Sequence, residues 1–256
     1  MSALGSCCRA ERVKWRKSWM LLTALLAPLC QAGFLFIIFW FAESRIRMFK
    51  PGFQFWLELN FVTWNLMLMP IATALICDLS WEQEREARAW NLLLIQPMSR
   101  RTHYLVKAMG HLVLVLMALA VLAFLLLLGG FILQANPGLL MGPLPLAMFS
   151  RFLAYSILAS VGVTAFHTWL SMRLPGIWMG LVTAILGSWL ALRLVGVSSL
   201  VPVLPWGLSA QMAVVFERWR VLPWSQVPIG LLSAAGMVAL GSLDFSRRWR
   251  SAGLKE

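Results

Sequence analysis

Read for apolar and polar positions, the chain alternates long oily stretches with short polar breaks. Six stretches stand out: Trp19–Phe41, Asn60–Leu79, Tyr104–Phe131, Ala147–Met172, Gly176–Val197 and Val227–Leu243. A helix needs about 20 mostly apolar residues to cross a bilayer, so the pattern predicts six transmembrane helices. The third and fourth are long enough to tilt or protrude, and the sixth is short. The first is too long for a signal-peptide core and reads as a retained span. Between the fifth and sixth lies Ser198–Gln226, with Pro202, Pro205 and Pro223 and with Trp206, Trp219 and Trp224. Tryptophan favours the headgroup level, so this stretch is expected to be interfacial or re-entrant; a seventh span is the alternative.

Composition agrees with that reading. Of 256 residues, 60% are hydrophobic and only 12% charged, with a mean hydropathy of +0.77. An ordinary soluble domain carries about twice that charge. A soluble enzyme, a disordered tail and a nucleic-acid-binding domain are thereby excluded. The fold class is all-α, a polytopic membrane protein with a single transmembrane domain over 1–256. It divides into a basic N-terminal segment (1–18), the six-span bundle (19–243) and a basic tail (244–256). Six spans leave no room for a folded catalytic domain.

The net charge of +12 then reads as anchoring beside anionic lipid, not as a nucleic-acid footprint. Fifteen of the 22 basic residues fall on the side of the two termini and six on the other, with Arg193 inside span five. That asymmetry places both termini in the cytoplasm. Within the N-terminal segment, Cys8–Lys17 is expected to form a basic helix on the inner leaflet. Arg12, Lys14, Trp15, Arg16 and Lys17 would be its membrane anchors.

Catalytic chemistry is hard to find. There is no Gly-x-Ser-x-Gly elbow, no His-Glu-x-x-His and no phosphate-binding Gly-x-x-x-x-Gly-Lys-Ser/Thr, so the chain is not expected to be an enzyme or to hold a metal or cofactor. His103, His111 and His167 read best as helix–helix or interfacial hydrogen-bonding residues. Cys30 and Cys77 are expected to be small buried hydrophobes, and Cys7 and Cys8 sit in the N-terminal tail. Ionisable residues at membrane depth are functional candidates by default. Here they are Glu58, Asp78, Arg193 and Asp244, yet the three acids lie near span ends and could reach water, while Arg193 could snorkel.

One polar break is unlike the others. Ser80–Gln96 packs five charged residues into Glu82–Arg88. Ser80 followed by Gln83 matches a capping box, Glu82, Glu84 and Glu86 suit the start of a helix, and Pro97 would end it. At about 100° per residue, Ala87, Trp90 and Leu94 share one face, while Glu84, Arg85, Arg88 and Asn91 share the other. The expectation is an amphipathic helix lying along the membrane, its polar face offered to a cytosolic partner.

The run Glu84-Arg85-Glu86, Trp90, Leu92-Leu93, Pro97-x-Ser99-Arg100, then Tyr104 and Lys107, resembles the cytoplasmic loop of type-2 ABC exporter permeases. It departs at Arg88-Ala89, where that family has Gly-Thr. The tryptophan before the leucines, and the opening Glu11-Arg12-x-Lys14-Trp15-Arg16-Lys17 before Pro28, are more like the short permeases of lantibiotic and bacteriocin immunity. The resemblance implies a multi-pass permease subunit of the bacterial cytoplasmic (inner) membrane. It also implies a cytosolic ABC ATPase dimer that binds ATP and magnesium, and a second permease, identical or different. The cargo would be an amphiphilic antimicrobial peptide taken from the lipid; a hydrophobic drug or a lipid is the alternative, and a scaffold or energy-independent carrier a further one. The expected ATPase-contacting residues are Glu82, Glu84, Arg85, Glu86, Arg88, Trp90 and Asn91.

Overall fold

The computed structural model describes residues 3–16, 18–41, 52–87, 99–136, 139–213 and 222–252. A short helix α1 (Ala3–Arg16) is followed by α2 (Trp19–Phe41), α3 (Phe53–Glu86), α4 (Arg100–Ala135), α5 (Leu146–Arg173) and α6 (Ile177–Leu194). After α6 the chain makes a five-residue helix α7 (Gly207–Gln211) and then the long α8 (Val227–Ala252). Six helices are long and apolar enough to cross a membrane. Among the described residues the only β pairing is one isolated bridge, Gly52 with Met141. The chain is an all-α polytopic membrane protein.

Helix α3 is the centre of the bundle, packing on α2, α4, α5 and α6, while α8 packs on α5 and α4. It is far longer than the apolar stretch Asn60–Leu79. Gln54 and Glu58 interrupt the pattern at one end, and Glu82, Gln83 and Glu84 at the other. In the folded chain most of these polar groups find partners, so the helix continues through them: Gln54 Nε2 donates to Glu58 Oε1 at 2.9 Å, and Glu84 takes two lysines. Two of the three acids placed near water are buried, with Glu58 only 3% and Asp78 only 2% exposed, while Asp244 is half-buried. Within α3, Trp64–Leu68 forms a π-helical turn closed by the Met69 N–H on the Trp64 carbonyl. Pro70, which lacks an N–H, follows directly and accounts for the wider turn.

One end of the bundle is aromatic. Phe53 lies flat on Gly130 of α4, where a Cβ would overlap its ring. Trp56 covers Gly129 and donates its indole N–H to the Leu126 carbonyl at 2.9 Å. Phe39 meets the Trp56 ring edge-on at 5.2 Å. We call this the distal end. The proximal end gathers α1, the last turn of α3, the first turns of α4, and the C-terminal turns of α5 and α8. Phe245 of α8 packs there on Trp81 and Tyr104, so the described terminal segments share one end.

Residues 201–212, in the connection between α6 and α8, are largely buried. Trp206 sits over Gly187 of α6, where no side chain would fit, and its indole N–H faces His167 Nε2 at 3.3 Å. Tyr155 donates to Gln211 at 2.9 Å, and Ser233 to the Val203 carbonyl at 2.7 Å. Residues 201–212 thus dip from the distal end between α5, α6 and α8 as a re-entrant element. No seventh span forms among the described residues.

Candidate functional site

The proximal end holds most of the described charge pairs, and they form a ladder. Glu84 Oε1 accepts Lys14 Nζ at 2.7 Å and Lys107 Nζ at 2.8 Å. Lys14 also reaches Glu11 at 2.7 Å. Lys107 donates to the Ser80 carbonyl at 3.3 Å and lies 4.4 Å from the centre of the Trp81 ring, a cation–π geometry. Glu84 and Lys107 are each 4% exposed, so each charge needs an opposite charge beside it. Burial pulls the Lys14 ammonium down, but the Glu84 and Glu11 carboxylates outweigh it and hold its pKa up at about 12. Two further ties close this end. Arg173 grips Asp244 with two hydrogen bonds of 2.6 Å, and Arg85 donates to the Ser171 carbonyl and to Glu82.

This arrangement corrects the amphipathic-helix expectation over Ser80–Gln96. Ser80 is not a cap. It lies buried inside α3, which runs unbroken from Met69 to Glu86. Glu84 faces the bundle and not the solvent, because two lysines from other helices converge on it. Glu82 and Arg85 are half-buried and Glu86 is exposed. Arg88, Trp90 and Asn91, with the leucines and Pro97 of the motif, lie outside the described residues. Beyond them, Ser99 caps α4 by accepting the Thr102 N–H at 3.2 Å. A physical role for the Pro-x-Ser-Arg signature is thereby visible: it starts the third span.

The N-terminal anchors divide in the same way. Arg12 is exposed, whereas Lys14 turns inward to Glu84 and Trp15 lies over Gly110 of α4 and packs on the core. Two of the five expected lipid anchors are thus protein contacts, because α1 lies on α4. Nothing is described of the Arg16 side chain or of Lys17. The other candidates serve packing. His111 Nδ1 is 2.9 Å from Thr168 Oγ1, His167 meets Trp206, and Cys77 is buried beside His111. Cys30, expected inside, is exposed on the lateral face of α2. Arg193 lies over Trp189, and among the described residues no three His, Cys, Asp or Glu converge as metal ligands would.

In the sequence Lys107 falls in the loop motif, with no role assigned to it in the site. It counts as a loop cation by position, yet it sits two turns inside α4 among apolar residues. A lysine in such a stretch demands a carboxylate, and that demand was the available signal.

Halfway along α3, at the π-helical turn, an apolar groove of about 210 Å³ opens between α3 and α6. Leu66, Met67, Ile71, Ile185, Ser188 and Trp189 line it. Its lining is almost wholly apolar, and the Ser188 hydroxyl beside it is buried.

No curated protein matches the chain by sequence. The family model described as ABC-2 family transporter protein matches residues 8–191, which takes in α1 through nearly all of α6 and so includes both the charge ladder and the groove. The chain belongs to the ABC-2 family of transporter proteins, as a transmembrane permease, and that family implies an ABC ATPase partner.

Proposed function

We propose that this permease exports an amphiphilic peptide, such as a lantibiotic, from the bacterial inner membrane as a means of self-protection. The groove between α3 and α6 carries the reading. It is almost wholly apolar, and it opens beside the exposed side chains of Ile185 and Trp189. A cargo already dissolved in lipid could enter such a groove sideways; a sugar or an ion would find no partners. A hydrophobic drug or lipid is the second reading, since the same lining suits it.

In this reading a cytosolic ATPase dimer binds ATP and magnesium. A second permease, identical or different, completes the channel, and both termini lie in the cytoplasm. The ATPase meets Glu82, Glu86 and the 88–98 loop, which includes Arg88, Trp90 and Asn91. Closure of the ATPase dimer then shifts rigid helices. The test is survival of cells that express the chain with its ATPase under lantibiotic challenge. Protection should vanish with an ATPase-inactive partner. It should also fall with Met67→Trp, which fills the groove, while the complex still assembles. Full protection with the groove filled overturns the cargo route. Protection against drugs but not peptides selects the second reading.

A further inference from the structure

Glu84 sits where three helices meet. It lies in the last turn of α3, just before residues 88–98. Its carboxylate is the shared acceptor for Lys14 of α1 and Lys107 of α4. Trp15, next to Lys14, lies on Gly110, one turn beyond Lys107 on α4. An exposed glutamate would be available to a partner protein. This one is sealed, with both its cationic neighbours belonging to the chain itself. Charge-assisted hydrogen bonds of this kind are the strong ones, and removal of one member strands a buried charge.

The geometry points to Glu84 as a positioning residue: it latches α1 and α4 to the last turn of α3, so that the N-terminal helix and the loop's entry move as one body. This role rests on the ATPase-driven reading above. Force delivered to the 88–98 loop then reaches α1 and α4 together, instead of bending the end of α3 alone. Lys14 is the part of the latch that can be released separately, because the Glu84–Lys107 pair survives without it.

The experiment places spin labels at Arg9→Cys and Leu105→Cys, both exposed positions, in a background with Cys7, Cys8 and Cys30 replaced by serine. In nanodiscs, the chain alone should give one narrow distance, and Lys14→Arg should keep it. Lys14→Met should add a detached population, lowering the docked-to-detached ratio about tenfold, the loss expected for one charge-assisted hydrogen bond. With the ATPase bound and trapped by vanadate, the wild-type distance should not change. Complex assembly should be equal for all variants, while stimulation of ATP hydrolysis falls several-fold in Lys14→Met and Glu84→Gln and is retained in Lys14→Arg. If Glu84→Gln does not insert, Lys14→Met still reads the latch. A wild-type distance that lengthens on trapping, or full stimulation in Lys14→Met, overturns the proposal. If no ATPase assembles with the wild-type chain, the coupling role falls with the functional reading, and a narrow distance in the chain alone identifies that as the cause.

Discussion

The two ends of the bundle are held by different chemistry. At the distal end Phe53 and Trp56 pack on a glycine pair of α4, with Phe39 against Trp56, and contact depends on shape. At the proximal end Lys14, Glu84, Lys107, Arg173 and Asp244 join helices by charge. In lipid the apolar tails compete equally for apolar helix faces, so close fit and polar links decide which helices associate. A close-fitting aromatic contact loses its dispersion energy over a fraction of an ångström, whereas an ion pair still attracts over several. The distal end is accordingly the rigid one, and the proximal end is suited to sliding while staying joined.

That contrast can be broken most severely at Trp56. Trp56→Ala removes a fully buried ring and a hydrogen bond to α4, and should cost about 3–5 kcal/mol, read as lost resistance to denaturation in detergent. Lys107→Met, which is close in volume, should cost less, about 1.5–3 kcal/mol, with Glu84 left to Lys14 alone. A loss at Lys107 equal to that at Trp56 would erase the distinction between the ends. Asp244→Asn should cost about 1 kcal/mol or less, because its Arg173 partner is largely exposed. High salt should shrink that difference further, whereas Trp56→Ala should be indifferent to salt.

The smallest effect expected is that of pH on the docking of α1. Lys14 has its pKa raised in the folded chain, so its contribution is complete below its unfolded value near 10.5 and is lost only as pH rises through about 12. From this group, the α1–α4 spin-label distance should show no dependence between pH 6 and 9. A transition in that window would mean that a different group controls the docking.

Much of this molecule is legible in its pattern of apolar residues. Trp19–Phe41 is helical from end to end as read, and the remaining spans differ mainly at their limits, where polar residues have tertiary partners. Helix α3 is the clearest case. Its sequence stops looking membrane-like at Leu79, but Lys14 and Lys107, distant in the chain, make Glu84 acceptable inside. The loop motif, with the basic opening segment, was enough to identify the family. The same residues misled about geometry, because Ser80 and Gln83 spell a cap equally well whether or not a helix already passes through them.

Hydropathy and length alone determined that the chain crosses a membrane and that six of its helices are long and apolar enough to do so. These follow from each segment's own transfer from water, which needs no knowledge of neighbours. Tertiary structure alone decided that Glu84 and Lys14 face inward, that residues 201–212 dip back among the spans, and that α3 and α6 leave a groove between them. Each of those outcomes depends on which side chains from distant segments arrive at the same place, and a buried charge is stable only where its partner is also delivered.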